Sequence, residues 1–145
     1  MRFARTTTAT ILAAVLFTAC GGTKDKSTAA GNAPPSGKTF VITMIAKSST
    51  NPVFLSARTG AEVAAAEMSR QLGISVKIDW RTPPSEDGTV QAQRIAEEVN
   101  DGVQDLLISA SDAGKVTGAI DDAVARGVPV MMFDSDAPAS KRFSF

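Results

Sequence analysis

Four short polar segments carry the side chains able to do chemistry: Lys47 to Phe54, Trp80 to Pro84, Ser109 to Asp112, and Asp134 to Pro138. Between them they hold an ammonium and a guanidinium group, an asparagine amide, several hydroxyls, the carboxylate pair Asp134 and Asp136 with Asp112 besides, and two aromatic rings. Such a set suits a polyhydroxy ligand, because each hydroxyl donates and accepts, amides and carboxylates bridge neighbouring hydroxyls, and an apolar ring face stacks on an aromatic. Bond-breaking chemistry has fewer means. The chain has no histidine and one cysteine, which removes Ser-His-Asp and Cys-His catalysis and nearly every zinc site. With no nucleophile and base that can be paired, an enzyme is disfavoured. No cofactor is expected either: Lys47-Ser48-Ser49-Thr50-Asn51-Pro52 contains no glycine, so the phosphate-binding fingerprint of a dinucleotide site is missing.

Each of these residues also has a plainer reading. Asn51 precedes Pro52 and suits a helix N-cap. Phe54 falls on the core stripe of the same helix. Asp112 reads as an N-cap before it reads as a ligand group. Asp134, a carboxylate just past an apolar strand, needs a partner, either a ligand or a turn built with Ala137-Pro138. Lys47 serves a ligand or a surface ion pair, Trp80 a ligand or the edge of the core, and Ser109 stands open between the two.

The elements that must position these groups alternate in a fixed way from Thr39 onward. Phe40-Val41-Ile42-Thr43-Met44-Ile45-Ala46 is nearly continuous in apolar residues, as a parallel strand covered on both faces should be. A helix follows from Asn51-Pro52, with Phe54, Ala57, Ala61, Ala65, Met68 and Leu72 on one face and Gly73 at its end. Ile74, Val76 and Ile78 alternate with polar residues in a second strand. Ser85 is the expected cap of the next helix, with Glu86 and Asp87 near its positive end; its stripe is Ala92, Ile95, Ala96 and Val99, and Gly102 closes it. Leu106-Leu107-Ile108 is a short buried strand. A third helix turns Val116, Ala119, Ile120, Ala123 and Val124 inward and stops at Gly127, before a fourth strand over Val128-Pro129-Val130-Met131-Met132-Phe133. Strands alternating with helices imply an α/β fold with a parallel sheet and right-handed crossovers. Ligands of such sheets bind beyond the carboxyl ends of the strands, at the point where strand order reverses, and all four polar segments lie at those ends.

At 145 residues and 43% hydrophobic content the chain suits one domain with a real core. Fifteen basic and fifteen acidic residues cancel, so no global field draws it to nucleic acid or to an acidic membrane surface. Arg2 and Arg5 precede an apolar run from Ala9 to Ala19 closed by small residues, which is the plan of a signal peptide. The run is shorter than the about 20 residues of a membrane-spanning helix. Residues 1–19 are therefore expected to be removed, taking both arginines and leaving thirteen basic against fifteen acidic residues. Gly21 to Lys38 has no large apolar residue and reads as a flexible tether. Phe17-Thr18-Ala19-Cys20 resembles a bacterial lipobox, which implies a diacylated Cys20 as the new N-terminus; an ordinary signal peptide followed by a chance cysteine is the alternative. An unpaired exposed thiol is a liability in an oxidising compartment, which favours the lipid.

Three stretches in order, Ser-Ser-Thr-Asn-Pro-Val-Phe at 48–54, Leu-Leu-Ile-Ser-Ala-Ser-Asp at 106–112 and Gly-Val-Pro-Val-Met-Met-Phe-Asp-Ser-Asp-Ala-Pro at 127–138, resemble the ribose-type family of periplasmic sugar-binding proteins. The similarity runs over about residues 39 to 145. It implies an open, three-layer parallel sheet of the Rossmann or flavodoxin type, forming the N-terminal lobe of a two-lobe receptor. Asn51 and Phe54 match the asparagine and second aromatic of the loop that contacts sugar in that family, and Val53 stands where the first aromatic often lies. Ser109 falls where asparagine is common. Asp134 matches a carboxylate that accepts bonds from sugar hydroxyls, and Ser135 replaces the arginine that often follows it. The implied ligand-binding set is thus Lys47, Asn51, Phe54, Ser109, Asp134 and Ser135, with the particular sugar open.

That resemblance implies a solute receptor of an ABC importer, held in the periplasm or at the cell surface by its lipid, whose partners are a sugar and a membrane permease. The family's second lobe has no counterpart in the sequence, so the chain reads as a fragment. A sensory lobe of chemotaxis or two-component signalling would look the same over this stretch. The effector-binding core of a LacI-type repressor shares the fold but would need an N-terminal helix-turn-helix, where residues 1–38 supply an export signal and tether.

Overall fold

The computed structural model describes residues 37–145; the signal segment, Cys20 and most of the tether lie outside the described residues. The elements run β1 (Thr39–Ile45), α1 (Pro52–Leu72), β2 (Ser75–Trp80), α2 (Gly88–Asn100), β3 (Leu106–Ile108), α3 (Ala113–Ala125) and β4 (Val130–Met132). The strands form one parallel sheet in the order β2-β1-β3-β4. The fold is the expected three-layer α/β architecture. Strand order reverses between β1 and β3, because the chain steps from β1 to one side and then crosses back over it.

Residues paired across strands point to the same face of a sheet, and the two faces here differ. Ile45, Leu106, Ile108, Val130 and Met132 join Ile95 and Val99 of α2 and Val116, Ile120 and Ala123 of α3 in the main core cluster. On the opposite face α1 lies along β2, where Ser69 Oγ accepts from Val76 N at 2.8 Å. Phe54 and Ala65 are its buried residues. The stripe predicted for α1 loosens toward its end: Met68 and Leu72 are 41% and 58% exposed. Length explains this. Twenty-one helical residues extend about 31 Å at 1.5 Å each, whereas a seven-residue strand covers about 23 Å, so the helix outruns the sheet.

The helix ends show what the sequence resolved and what it missed. Asn51 caps α1, its side chain accepting from Val53 N, and Gly73 closes it in the left-handed conformation (φ 67°). Asp87, not Ser85, caps α2: its Oδ1 accepts from Thr89 N at 2.8 Å and Val90 N at 3.2 Å. The Pro83 and Pro84 carbonyls accept from Ser49 N and Ser48 Oγ of the loop after β1, and α2 begins only at Gly88, so Glu86 and Asp87 precede the first turn. Gly88 then permits close packing, since a Cβ there would lie 2.6 Å from Asp112 Cβ. Ala96, placed on the apolar stripe by its spacing, is exposed. The last strand is shorter than the apolar run that announces it, because Pro129 has no N–H and Val128 N bonds back to Ala123 O at the end of α3.

Candidate functional site

The carboxyl ends of the strands are joined by a side chain that belongs to a helix. Gln91, in the first turn of α2, is fully buried. Its Nε2 donates to Ser109 O at 2.8 Å and Ala46 O at 3.1 Å, with Ile45 O at 3.4 Å, while its Oε1 accepts from Ser111 N at 2.8 Å. One amide thus ties the end of β1 to the end of β3 at the point of reversal. The neighbouring loops are tied as well. Ala46 N donates to Thr82 Oγ1 at 2.8 Å, Ser49 N to Pro83 O at 2.7 Å, and Ser48 Oγ to Pro84 O at 3.0 Å.

On this rim the structure brings Lys47, Ser109, Asp134 and Ser135 together. Asp134 Oδ2 accepts from Ser109 Oγ at 2.8 Å and Ser135 Oγ at 3.1 Å, and Lys47 Nζ lies 3.4 Å away. The Ser109 bond, followed by those of Ser135 and the nearby ammonium of Lys47, holds the Asp134 carboxyl below its ordinary value against a modest desolvation. All three contacts fall on Oδ2; Oδ1 makes no hydrogen bond among the described residues. Asp134 is the one described non-glycine residue with positive φ, at 58°, a conformation that aspartate tolerates better than most side chains. An ion pair between Arg142 and Asp136, with one hydrogen bond from Nη2 to Oδ2 at 2.7 Å, braces the loop that follows.

The other predicted residues sit around this group. Lys47 Nζ stands 6.0 Å from the centroid of the Phe54 ring. Phe54 itself is only 4% exposed, so its ring is a wall behind Lys47 rather than an open stacking platform. Asn51 uses Oδ1 in capping, bonding Val53 N at 3.0 Å, and its amide hydrogens have no partner among the described residues. Ser109 is fully buried and faces Asp134. Asp112 caps α3, and Trp80 lies under the Arg58 guanidinium at 5.6 Å. The sequence reading did not single out Gln91, Thr82 or the Asp136–Arg142 pair. Gln91 had a signal: it continues the spacing of Ile95 and Val99, so it is a polar residue on an apolar stripe.

What remains unspent at the rim is an acceptor on Asp134, N–H groups on Lys47 and the amide hydrogens of Asn51. An acceptor beside several N–H donors is a set that can hydrogen-bond hydroxyl groups. No group of three or more His, Cys, Asp or Glu among the described residues could hold a metal ion. A parallel sheet reversing at β1 and β3, with a polar rim at that point, defines a small-molecule binding lobe of the doubly wound type.

Comparison with known proteins agrees. Residues 42–145 match the model of the periplasmic binding protein domain, and the chain belongs to that family. It is 30% identical over 104 residues to the ribose import binding protein RbsB of Bacillus subtilis, covering 72% of this chain and 32% of that protein. A sugar ABC transporter protein from Actinomyces odontolyticus is 32% identical with a TM-score of 0.59, over 71% of this chain and 31% of the other. LsrB from Clostridium saccharobutylicum, solved in complex with AI-2, is 31% identical with a TM-score of 0.57, over 66% of this chain and 28% of that one. The chain thus spans about a third of the length of these relatives.

Two expectations test the rim. Gln91→Leu leaves the carbonyls of Ala46 and Ser109 and the N–H of Ser111 without their partner, and unpaired buried groups cost about 1–3 kcal/mol each; urea unfolding of both forms should show a loss of at least about 2 kcal/mol, and a loss below roughly 0.5 kcal/mol would refute the clamp. Ser109→Ala removes the main cause of the depressed Asp134 pKa. A depressed carboxylate contributes stability above its unfolded pKa that is lost as pH falls through the folded one. The variant should therefore titrate Asp134 at higher pH and shed that contribution earlier on acidification; identical Asp134 titration curves by carboxyl-detected NMR would contradict the assignment.

Proposed function

We propose that this chain forms one wall of a sugar site in an extracytoplasmic receptor of an ABC import system. The carrying observation is the Asp134 carboxylate, oriented by Ser109, Ser135 and Lys47 through Oδ2 and left with Oδ1 unpaired at the point where strand order reverses. In this reading Asp134 Oδ1 accepts from a sugar hydroxyl, Lys47 and Asn51 donate to others, and Ser135 contributes its hydroxyl. Ser109 and Phe54 shape the site from behind as positioning groups. The names of the ribose import and sugar transporter relatives support a sugar as the ligand class. Residues 39–145 act as the N-terminal lobe, residues 1–19 as the export signal, and residues 20–38 as a lipidated tether; the lipid on Cys20 is the chain's only membrane contact, and the permease receives the sugar.

A single wall desolvates only one side of a ligand, and affinity is correspondingly weak. Titration of the chain with D-ribose, followed by amide NMR shifts, should give a dissociation constant in the millimolar range, with changes at residues 47–51 and 134–135 that disappear in Asp134→Asn. Ribose shifts that survive that substitution unchanged would remove Asp134 from the site. Anchoring is checked separately: cells fed an alkynyl fatty acid should label the chain, and Cys20→Ser should abolish the label. Equal labelling of both forms would eliminate Cys20 as the attachment point.

A further inference from the structure

A second polar concavity lies away from the rim. Gln91 begins α2 at the carboxyl edge of the sheet; Glu98, seven residues on, is roughly 10 Å along the helix axis at 1.5 Å per residue. There α2 leaves the β1–β2 margin of the sheet uncovered, and a cleft of about 380 Å³ opens between Val41 and Thr43 of β1, Asp79 and Arg81 at the end of β2, and Glu98, Asp101, Gly102, Val103 and Gln104. Its volume falls in the range of small-molecule sites.

The Glu98 carboxylate is the unusual group in this cleft. Its side chain is 9% exposed, and it makes no hydrogen bond among the described residues. Its nearest cation is Arg81 Nε at 3.6 Å, which gives its own hydrogen bond, at 2.8 Å, to Asp79 Oδ2. Arg94 is turned toward Glu97 at 3.4 Å. Beside Glu98 the Thr43 residue is 2% exposed, and its hydroxyl also lacks a hydrogen bond among the described residues. Glu98, held only by its ion pair with Arg81, and Thr43 both line the cleft without a hydrogen bond among the described residues, so their oxygens are open to a donor that enters it. Asp79, Glu98 and Asp101 outnumber Arg81 in charge, which selects a cation. The absence of a three-ligand cluster among the described residues and the apolar flanks of Val41 and Val103 select an organic cation over a metal ion.

We propose that this cleft binds a small primary alkylammonium ion, with the Glu98 carboxylate and the Thr43 hydroxyl accepting from its N–H groups and Val41 and Val103 lying along its methylenes. An ammonium offers three donors on a compact charge and can give hydrogen bonds to both acceptors at once. The site shares no residue with the sugar rim: it lies beside β1 and β2 under α2 rather than at the loops that follow β1, β3 and β4, and it recognises a cation rather than a neutral ligand.

The test is an amide NMR titration of the chain with putrescine at low salt. Saturable shifts are expected at Gly102, Val103 and Gln104. Glu98→Gln, which keeps the side-chain shape, should weaken binding about tenfold or more, as expected for loss of a charge-assisted hydrogen bond. Thr43→Val should weaken it to a lesser degree. Glu62→Gln, an exposed carboxylate on α1, should leave it unchanged. Absence of saturable shifts in the unsubstituted chain would overturn the proposal, as would equal weakening by Glu98→Gln and Glu62→Gln, which indicates charge attraction alone. Nα-acetyl-lysine methylamide, carrying the ammonium as a protein would present it, should bind less tightly than putrescine; the opposite order would replace a diffusible amine by a partner's lysine.

Discussion

Gln91 holds together the place where this sheet changes direction. Strands β1 and β3 are neighbours in space but far apart in the chain, and at their carboxyl ends they give way to loops that leave in different directions. There the ladder of backbone bonds runs out, and the carbonyls of Ala46 and Ser109 would otherwise face a dry interior. A glutamine amide has donors and an acceptor on one rigid plane, so a single side chain satisfies both strands and the Ser111 N–H of the next loop. In a low-dielectric interior such bonds are strong when complete and costly when broken. The spacing of Lys47 from Ser109, and so the position of Asp134, is inherited from this one contact.

The electrostatics of the rim follow from that spacing. Asp134 carries its charge close to solvent, yet three donors converge on one of its oxygens, from β1, from the end of β3 and from its own neighbour. The carboxylate is thereby fixed in orientation without being neutralised, since its second oxygen stays free. Thr82 and the carbonyls of Pro83 and Pro84 hold the opposite loop in place through backbone and hydroxyl bonds. The rim is held on both sides of β1 by bonds within the protein.

Most of the scaffold was legible because each element obeys the period that its environment demands. The run Leu106-Leu107-Ile108 is a strand at both of its predicted ends, and Asn51-Pro52 and Gly73 bracket α1 as written. Misreadings came where a side chain's partner lies far away in the sequence. Ser85 and Asp87 are both good caps by type, and the loop between them and β2 is tied by the Pro83 and Pro84 carbonyls to Ser49 and Ser48, more than thirty residues away, before α2 begins. Gln91 shows in the sequence only as a polar residue on an apolar stripe, and what it bonds to depends on β1 and β3 ending against it. Ser109 and Asp134 were found separately, by loop position and by resemblance; that one orients the other depends on β3 and β4 being adjacent. The positive φ of Asp134 has no local signature, because no glycine marks it.

That backbone conformation limits what the position can become. A side chain at φ 58° crowds its own carbonyl unless it is absent, as in glycine, or short and able to bond locally, as in aspartate and asparagine. Lengthening to glutamate or branching at the β-carbon adds steric cost before any question of ligand arises. Over evolutionary drift the corner can lose its charge while keeping its shape, but it cannot readily exchange one acid for the other. The choice of side chain at this corner is thus set by the backbone first and by charge second.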